Sequence, residues 1–370
     1  MIFRKKRYEA GESLSKLAWI RFRKNGMGMT ALGYIILVII ICILGYLITP
    51  DSTPFANDQH LEIAARKPGF TVEVMHVKNM QERDKQGFLH TMIRGRKKDY
   101  TSVPIAHYKI EGEKIIAEGY TGDEKSEGRL YMFNRDEVDI VQRTFLLGTD
   151  RFGRDLLSQL MIGARVSLSV GFISVIISLI IGISLGAVAG FFGGRVDNLI
   201  IWFINVVWSI PTLLMVIAIT FALGKGFWQV FVAVGLTMWV EVARVVRGQM
   251  ISIREKEFVE AGKALGFNHF RIIFRHILPN VTGPVIVISA ANFAAAILIE
   301  AGLSFLGIGV QPPMPSWGTM IKENYAYIIL DASHLAIFPG IAIMLLVLAF
   351  MIMGNALRDA LDVKIVTSDA

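Results

Sequence analysis

Stretches of some twenty apolar residues recur six times along this chain. Each has the length an α-helix needs to cross a hydrocarbon core of about 30 Å. They fall at about 30–49, 166–191, 199–223, 227–246, 281–306 and 334–357. No water is available in a bilayer core to satisfy backbone N–H and C=O groups, so such stretches fold as helices. Gly182, Gly186, Gly190, Pro211, Gly283, Pro284 and Pro339 lie within them, and membrane helices tolerate both residue types. Of 370 residues, 53% are hydrophobic and 19% charged, more apolar than a soluble domain. One long polar stretch, from Asp51 to about Arg143, separates the first run from the rest. The expected fold class is an all-α polytopic membrane protein of six transmembrane helices with one polar insert.

Lysine and arginine set the expected orientation. Arg4, Lys5, Lys6, Arg7, Lys16, Arg21, Arg23 and Lys24 precede the first span. Arg244, Arg247, Arg254, Lys256, Lys263, Arg271 and Arg275 lie between the fourth and fifth spans, whereas 307–333 carries only Lys322. Six crossings put the N-terminus, the 247–280 loop and the C-terminus on one side, and the positive-inside rule makes that side the cytoplasm. The organisation expected is then a cytoplasmic segment (1–29), the first transmembrane helix (30–49), an extracytoplasmic insert (50–145), a short extracytoplasmic segment (146–165), a transmembrane domain (166–358) and a cytoplasmic tail (359–370). The run 30–49 is long enough to span and lacks a clear cleavage site after it, so it reads as a retained anchor rather than a signal peptide.

The insert is partly β in texture. Phe70, Val72, Val74 and His76 alternate with Thr71, Glu73 and Met75, although Met75 breaks the polar face. His107–Ile110 and Lys114–Ile116 flank a short turn at Glu111-Gly112, a hairpin pattern.

The net charge of +7 fits cytoplasmic loops of a membrane protein and comes with no nucleic-acid reader motif, so no nucleic-acid partner is expected. Cys42 is the single cysteine. No Cys/His cluster has zinc spacing, and His60, His76, His90 and His107 are not spaced as metal ligands. No phosphate-binding G-x-x-x-x-G-K-[ST] loop occurs, so an ATP-hydrolysing motor would have to be another chain.

The most informative stretch is Ser252 to Asn280, SIREKEFVEAGKALGFNHFRIIFRHILPN. Ser252 with Glu255 fits a capping box, which predicts a helix start. Phe258, Ala261 and Leu265 fall on one face, and Gly266 sits where a C-terminal cap glycine belongs. A second helix is predicted from about His269 to Ile277, leading to Pro279. From these residues alone two readings stand side by side: a helix lying on the membrane surface, or a docking helix for a partner protein.

Glu260-Ala261-Gly262, then Gly266, then Ile277-Leu278-Pro279, resembles the EAA loop of binding-protein-dependent ABC permeases, with Gly262 in place of the usual alanine. Leu147–Asp155 with Gly163–Leu168, Glu300–Gly307 with Pro312–Gly318, and Leu357–Asp362 resemble the C-type permease of dipeptide and oligopeptide importers. The resemblance covers the first span and nearly everything from about 146 to 362, and fails from Pro50 to about Arg143. It implies the type I ABC importer permease fold, and a transport subunit rather than an enzyme, in a bacterial inner membrane. It also implies a second homologous permease enclosing the pathway, two ABC ATPase subunits beneath, an extracytoplasmic substrate-binding protein above, and membrane lipid around. It implies no cofactor on this chain, with ATP and Mg on the ATPases. Phe258, Glu260, Ala261, Gly262, Leu265 and Gly266, within a coupling loop at 252–277, are the residues expected to serve ATPase coupling. Nickel or another small solute is the alternative substrate. A membrane sensor whose insert binds a ligand, and an ion-coupled transporter, are alternatives of other classes.

Three further expectations concern single residues. Glu300, an acid in an apolar segment, is a functional candidate by default, the simpler reading being that it lies near its helix end and reaches water. Glu241 and Arg244, three apart, are expected to pair at the cytoplasmic end of their helix. Asn205, Asn292 and Asn355 are expected to hydrogen-bond between helices.

Overall fold

The computed structural model describes residues 14–79, 87–122, 128–224 and 226–361. The first basic residues of the N-terminal segment and the tail from Asp362 onward lie outside these. Helix α1 (Leu14–Lys24) turns into α2 (Gly26–Ile48) at Asn25. The Asn25 side-chain oxygen accepts from the Gly28 N–H at 2.9 Å and caps the first span.

The insert follows. It contains strand β1 (Phe70–Lys78), the short helix α3 (Phe88–Arg94), and strands β2 (Tyr100–Glu111), β3 (Lys114–Gly119), β4 (Leu130–Asn134) and β5 (Val138–Phe145). They form one antiparallel sheet in the order β4-β3-β2-β1-β5. The β2–β3 turn passes Gly112 at φ +63°. Central strand β1 is apolar on both faces. Val72 and Val74 pack with Ile63 and Phe145, while Met75 packs with Ile105, Ile115, Ala117 and Val138 on the other side. That second core explains why Met75 interrupts the alternation.

The membrane helices are α4 (Leu156–Phe192), α5 (Gly194–Trp208), α6 (Thr212–Leu223), α7 (Phe227–Arg254), α10 (Leu278–Phe305) and α12 (His334–Leu361). Between them lie α8 (Glu257–Ala264), α9 (His269–Arg271) and α11 (Trp317–Asn324). α2, α4, α7, α10 and α12 are each long and apolar enough to span, and α5 with α6 makes a sixth, broken span bent by 90°. The single helix expected over 199–223 is therefore two. The break falls at Ser209-Ile210-Pro211 because proline has no N–H to donate and biases the residue before it away from helix. The span expected to end near 246 instead continues to Arg254, where the Arg254 guanidinium donates to the Phe191 carbonyl at 3.0 Å.

α4 and α7 are the most intimately packed pair. Lipid tails are as apolar as leucine, so helices in a bilayer associate by close packing rather than by the hydrophobic effect. Gly182, Gly186 and Gly190 recur every four residues along the α4 face turned to α7. A Cβ on Gly182 would lie 2.5 Å from Val242 Cβ, one on Gly186 2.5 Å from the Ala243 carbonyl oxygen, and one on Gly190 2.5 Å from Met250 Cβ. From the other side, a Cβ on Gly235 would lie 2.7 Å from Ile177 Cβ. A second core joins α2, α4, α10, α11 and α12 through Ile35, Leu156, Ile297, Trp317 and Leu346.

The LGTD…GRD segment is a polar knot at the sheet end of the bundle. Asp155 caps α4 by accepting from the Ser158 N–H at 2.9 Å. Arg154, almost fully buried, binds Asp150 at 2.6 Å, Glu323 of α11 at 3.0 Å and Asn57 at 3.2 Å. The Thr149 hydroxyl accepts from the Arg66 N–H at 2.9 Å. Gly153 sits at φ +71°, and a Cβ there would overlap the His60 carbonyl oxygen at 1.7 Å. So residues 57–66 are threaded tightly across the start of α4. A second tie holds them to the sheet: Asp58 pairs with Lys98, with Arg143 at 3.3 Å and with His60 at 3.2 Å. Burial alone would push the Asp58 carboxyl up, but the hydrogen bond and charge of His60, then Lys98, outweigh it and hold it well below the usual carboxylate range.

Two outcomes follow from this packing. Gly186→Leu forces a side chain into the α7 backbone, and overpacking of this kind costs about 1–3 kcal/mol or more; thermal unfolding in detergent should show a clear drop, with Gly186→Ala intermediate. Asp58 is ionised more readily in the folded than in the unfolded chain, whose carboxyl titrates near ~3.9. Its stabilisation is thus complete above that value and is lost as the pH falls through the lower folded one. Asp58→Asn should lower the melting temperature at pH 7, and the gap from the parent should shrink below about pH 4.

Candidate functional site

Two features at different depths of the bundle have the makings of a working site. The first is α8. The capping box expected at Ser252 does not start a helix, because Ser252 continues α7, whose end at Met250 and Ile253 is held in a core with α8 and α10. The chain breaks at Glu255-Lys256 and α8 begins at Glu257. Only Val259 and Gly262 of α8 are buried, against Phe267, Ile272 and Ile277. Phe258, Glu260, Ala261 and Leu265 are exposed, Phe258 at 46% and Leu265 at 72%. The apolar stripe legible in the sequence thus points away from the protein's own core.

Gly262 stands apart from the other expected coupling residues. It faces inward, so its part is to let α8 close on its own support. A Cβ there would meet Phe267 at 3.4 Å, an ordinary contact, so alanine or glycine serves equally. Gly266 ends the helix at φ +74°. The Gly266 N–H donates to the Lys263 carbonyl and the Phe267 N–H to the Gly262 carbonyl, the paired bonds of a Schellman cap. Gly266 therefore serves by backbone conformation, and it is exposed beside Leu265.

The helix expected over 269–277 is present in altered form. Asn268 caps α9 by accepting from the Arg271 N–H at 2.8 Å. Residues Ile272–Ile277 are π-helical and run directly into α10. Pro279, which has no N–H, follows at once, and wide turns of this kind occur where the regular ladder is interrupted. A four-residue turn, 265–268, thus joins α8 to the helical run that continues into α10.

The second feature lies at the break between α5 and α6. Glu241 and Arg244 sit near the middle of α7, not at its end, because α7 reaches Arg254. They do not form the expected ion pair. Arg244 donates to Asn205 of α5 at 3.2 Å and lies 3.8 Å over the Trp208 ring. Glu241 is exposed beside a small cavity of about 150 Å³ lined by Trp208, Thr212 and Thr237. Arg247, one turn below, binds Asp197 at 2.5 and 2.6 Å and fixes the start of α5 to α7. An acid, a base, an amide and an indole are thus gathered beside the middle of α7, and unpartnered charge is costly in apolar surroundings.

Glu300 is fully buried and does not reach water. It accepts from Ser304 at 2.7 Å and from Ser167 of α4 at 3.3 Å, so it links α10 to α4. Of the three asparagines, Asn205 and Asn292 bond across helices, Asn292 donating to the Met238 carbonyl of α7 at 3.5 Å. Among the described residues no group of His, Cys, Asp and Glu is gathered to hold a metal. Sequence reasoning missed the grouping of Asn205 with Arg244 because the two lie 39 residues apart, on different helices, and meet only in the fold.

Comparison with known proteins identifies the family. Residues 182–367 match the family model described as binding-protein-dependent transport system inner membrane component. Residues 13–68 match the N-terminal TM domain of oligopeptide transport permease C. The five-stranded sheet lies between these two matches. The dipeptide transport system permease protein DppC of Alkalihalophilus pseudofirmus is 44% identical over 217 residues, covering 59% of this chain and 71% of the relative. The glutathione transport system permease protein GsiD of Pectobacterium atrosepticum is 40% identical, covering 59% and 72%. The oligopeptide transport system permease protein OppC of Bacillus subtilis is 38% identical, covering 59% and 71%. Among solved structures, the inward-facing MetNI methionine ABC transporter matches at 18% identity and TM-score 0.47, over 56% of this chain and 98% of that one. The chain belongs to the binding-protein-dependent transport system inner membrane component family, and is a multi-pass membrane permease.

Proposed function

We propose that the chain is one permease subunit of an ATP-driven importer of dipeptides and oligopeptides. The single observation that carries the coupling part of this reading is the outward-facing apolar stripe of α8, Phe258 and Leu265 with Glu260 and Ala261 beside it. A helix exposed on one face, and on the other packed in one core with the base of a membrane helix, is suited to receive force from a partner. In this reading the α8 end of the bundle and both termini face the cytoplasm, and the sheet faces outside. Two ATPase subunits bind ATP and Mg and press on α8, while this chain performs no hydrolysis itself. A second, homologous permease completes the pathway, and a substrate-binding protein delivers peptide to the sheet side. The broken α5–α6 span and mid-membrane Glu241, Arg244 and Asn205 line this chain's share of the path. The names of the related permeases support the peptide class.

Movement follows from the connections. Closure of the ATPases displaces α8, the π-helical segment passes the displacement into α10, and α10 carries it to Glu300 and α4. The pathway then opens alternately to either side.

Two measurements test the proposal. Leu265→Glu puts a charge on an exposed position, so folding should be unaffected, whereas an apolar contact point truncated or charged at an interface centre costs about 2 kcal/mol or more. Co-purified ATPase should fall at least roughly tenfold and peptide uptake with it; unchanged recovery of ATPase and unchanged uptake would overturn the coupling role of α8. Glu241→Gln should leave the assembled complex intact and slow uptake of peptides severalfold, read as transport per complex in vesicles. Equal transport by the variant would remove Glu241 from the path.

A further inference from the structure

The insert carries a helix whose position the transport cycle does not explain. α3 is short, yet three of its large apolar side chains are outward: Phe88 at 66%, Leu89 at 68% and Ile93 at 64% exposure. For a helix in water this would be a poor arrangement, since among the described residues no other element covers these side chains.

Its depth accounts for them. Arg165, in the first turns of α4, donates from one guanidinium to four backbone carbonyls on two other helices. Two belong to α2: Cys42, and Ile43 at 2.9 Å. Two belong to the end of α3: Met92 at 2.7 Å and Ile93 at 3.2 Å. The shared guanidinium places the end of α3 level with Cys42 and Ile43. Those residues lie six and five positions before Ile48, the last residue of α2, or about 7–9 Å below the helix end at 1.5 Å per residue. α2 is 23 residues long, about 34 Å by the same rise, so its end marks the edge of a hydrocarbon core of about 30 Å. The end of α3 is thus inside that edge.

The polar chemistry fits the same location. A helix end leaves carbonyls without intrahelical donors, and within a bilayer no water can supply them. Arg165 supplies two, and a membrane-embedded guanidinium in turn needs acceptors such as backbone carbonyls. The end is pinned from the aqueous side too. Gly95 ends α3 at φ +79°, with no room for a Cβ beside the Ser52 carbonyl oxygen 2.7 Å away, and the Arg96 N–H donates to that carbonyl. Beside α3, the α2 face bearing Ile36, Ile39, Ile40, Ile43 and Leu47 is exposed, so the apolar side chains of α3 extend a lipid-facing band. Between them runs an apolar groove of about 690 Å³ lined by Ile39, Cys42, Ile93, Phe172 and Phe350. Arg94, Arg96 and Lys97, exposed just beyond, suit anionic headgroups.

We infer that α3 is a membrane-inserted anchor: Phe88, Leu89 and Ile93 sit among the acyl chains of the leaflet on the insert's side, and Arg165 fixes the helix at that depth. The occupant of this surface is lipid. The sheet is therefore held to the bilayer at α3 as well as to the bundle at the LGTD…GRD knot.

The test uses the full chain with Cys42→Ala, reconstituted with its partner chains in vesicles of phosphatidylethanolamine and phosphatidylglycerol. A nitroxide is placed at Leu89→Cys or Ile93→Cys, and at Ile110→Cys on the exposed face of β2 as the aqueous reference. The expected result is relaxation by oxygen exceeding that by a water-soluble nickel chelate at 89 and 93, and the reverse at 110. Nickel-chelate access at 89 and 93 equal to that at 110 overturns the inference, because the helix is then in water. Exclusion of both reagents also overturns it, because a protein surface such as the second permease then covers α3. With Arg165→Gln, nickel-chelate access at 93 should rise severalfold; no change would deny Arg165 its positioning role while the readings at 89 and 93 still decide insertion.

Discussion

The close approach of α4 and α7 is the interaction on which the rest of the bundle rests. Within a bilayer, apolar burial gives helices little reason to leave lipid, so cohesion depends on how near two backbones can come. Gly182, Gly186 and Gly190 remove every side chain from one stripe of α4, and Val242, Ala243 and Met250 occupy the space. Once α7 is fixed in this way, α5 is fixed to it by Asp197–Arg247, and α10 by Asn292 on the Met238 carbonyl. The face of α7 opposite the glycines is left to carry Glu241 and Arg244. The same helix thus carries tight packing on one side and a polar face on the other.

The sheet end of the bundle is organised by a different economy, that of buried charge. Arg154 is held by Asp150, Glu323 and Asn57 together. Breaking such a set by removing one member leaves the remaining charge uncompensated, typically at a cost of several kcal/mol. The set therefore specifies one arrangement of α4, α11 and the 57–66 segment. After the sheet, Gly148 and Gly153 bring the chain back against Arg66 and His60 of that segment, so the sheet leaves from and returns to one place. This is a physical reason why a five-stranded sheet can sit between two matched family segments.

Much of this was legible in the sequence, and the parts that were not share a cause. Span number, the hairpin at Gly112 and the cap at Gly266 depend on neighbours close along the chain. The break at Pro211 was not read, because proline within an apolar run is compatible with a continuous membrane helix and only the fold decides. The glycine stripe of α4 was visible as composition, but its partners on α7 lie some sixty residues on. The burial of Gly262, the outward turn of Phe258 and Leu265, and the four-carbonyl seat of Arg165 all depend on elements distant in sequence. A motif can mark Arg165 as notable without indicating which backbone it will meet.

The continuity of α8, the π-helical segment and α10 bears on how force could travel through the chain. A flexible loop after α8 would absorb a push as local rearrangement. Here the first residues after the Gly266 cap are again helical within three positions, and Ile272, Ile273 and Ile277 are buried in the same core as Val259. α8 and the base of α10 therefore share one close-packed core, of the kind that transmits strain. Helix α10 is about 42 Å long at 1.5 Å per residue, and its far end is not free. Glu300 and Ser304 tie it to Ser167 of α4, and Gly318 of α11 lies against the Ala301 carbonyl with no room for a Cβ. α10 is thus held at both ends, in the α8 core at its base and at Glu300 above. Ala295 and Ile299, which border the Glu241 cavity, lie within five residues of that tie, so the part of α10 beside the polar face of α7 is the part held to α4.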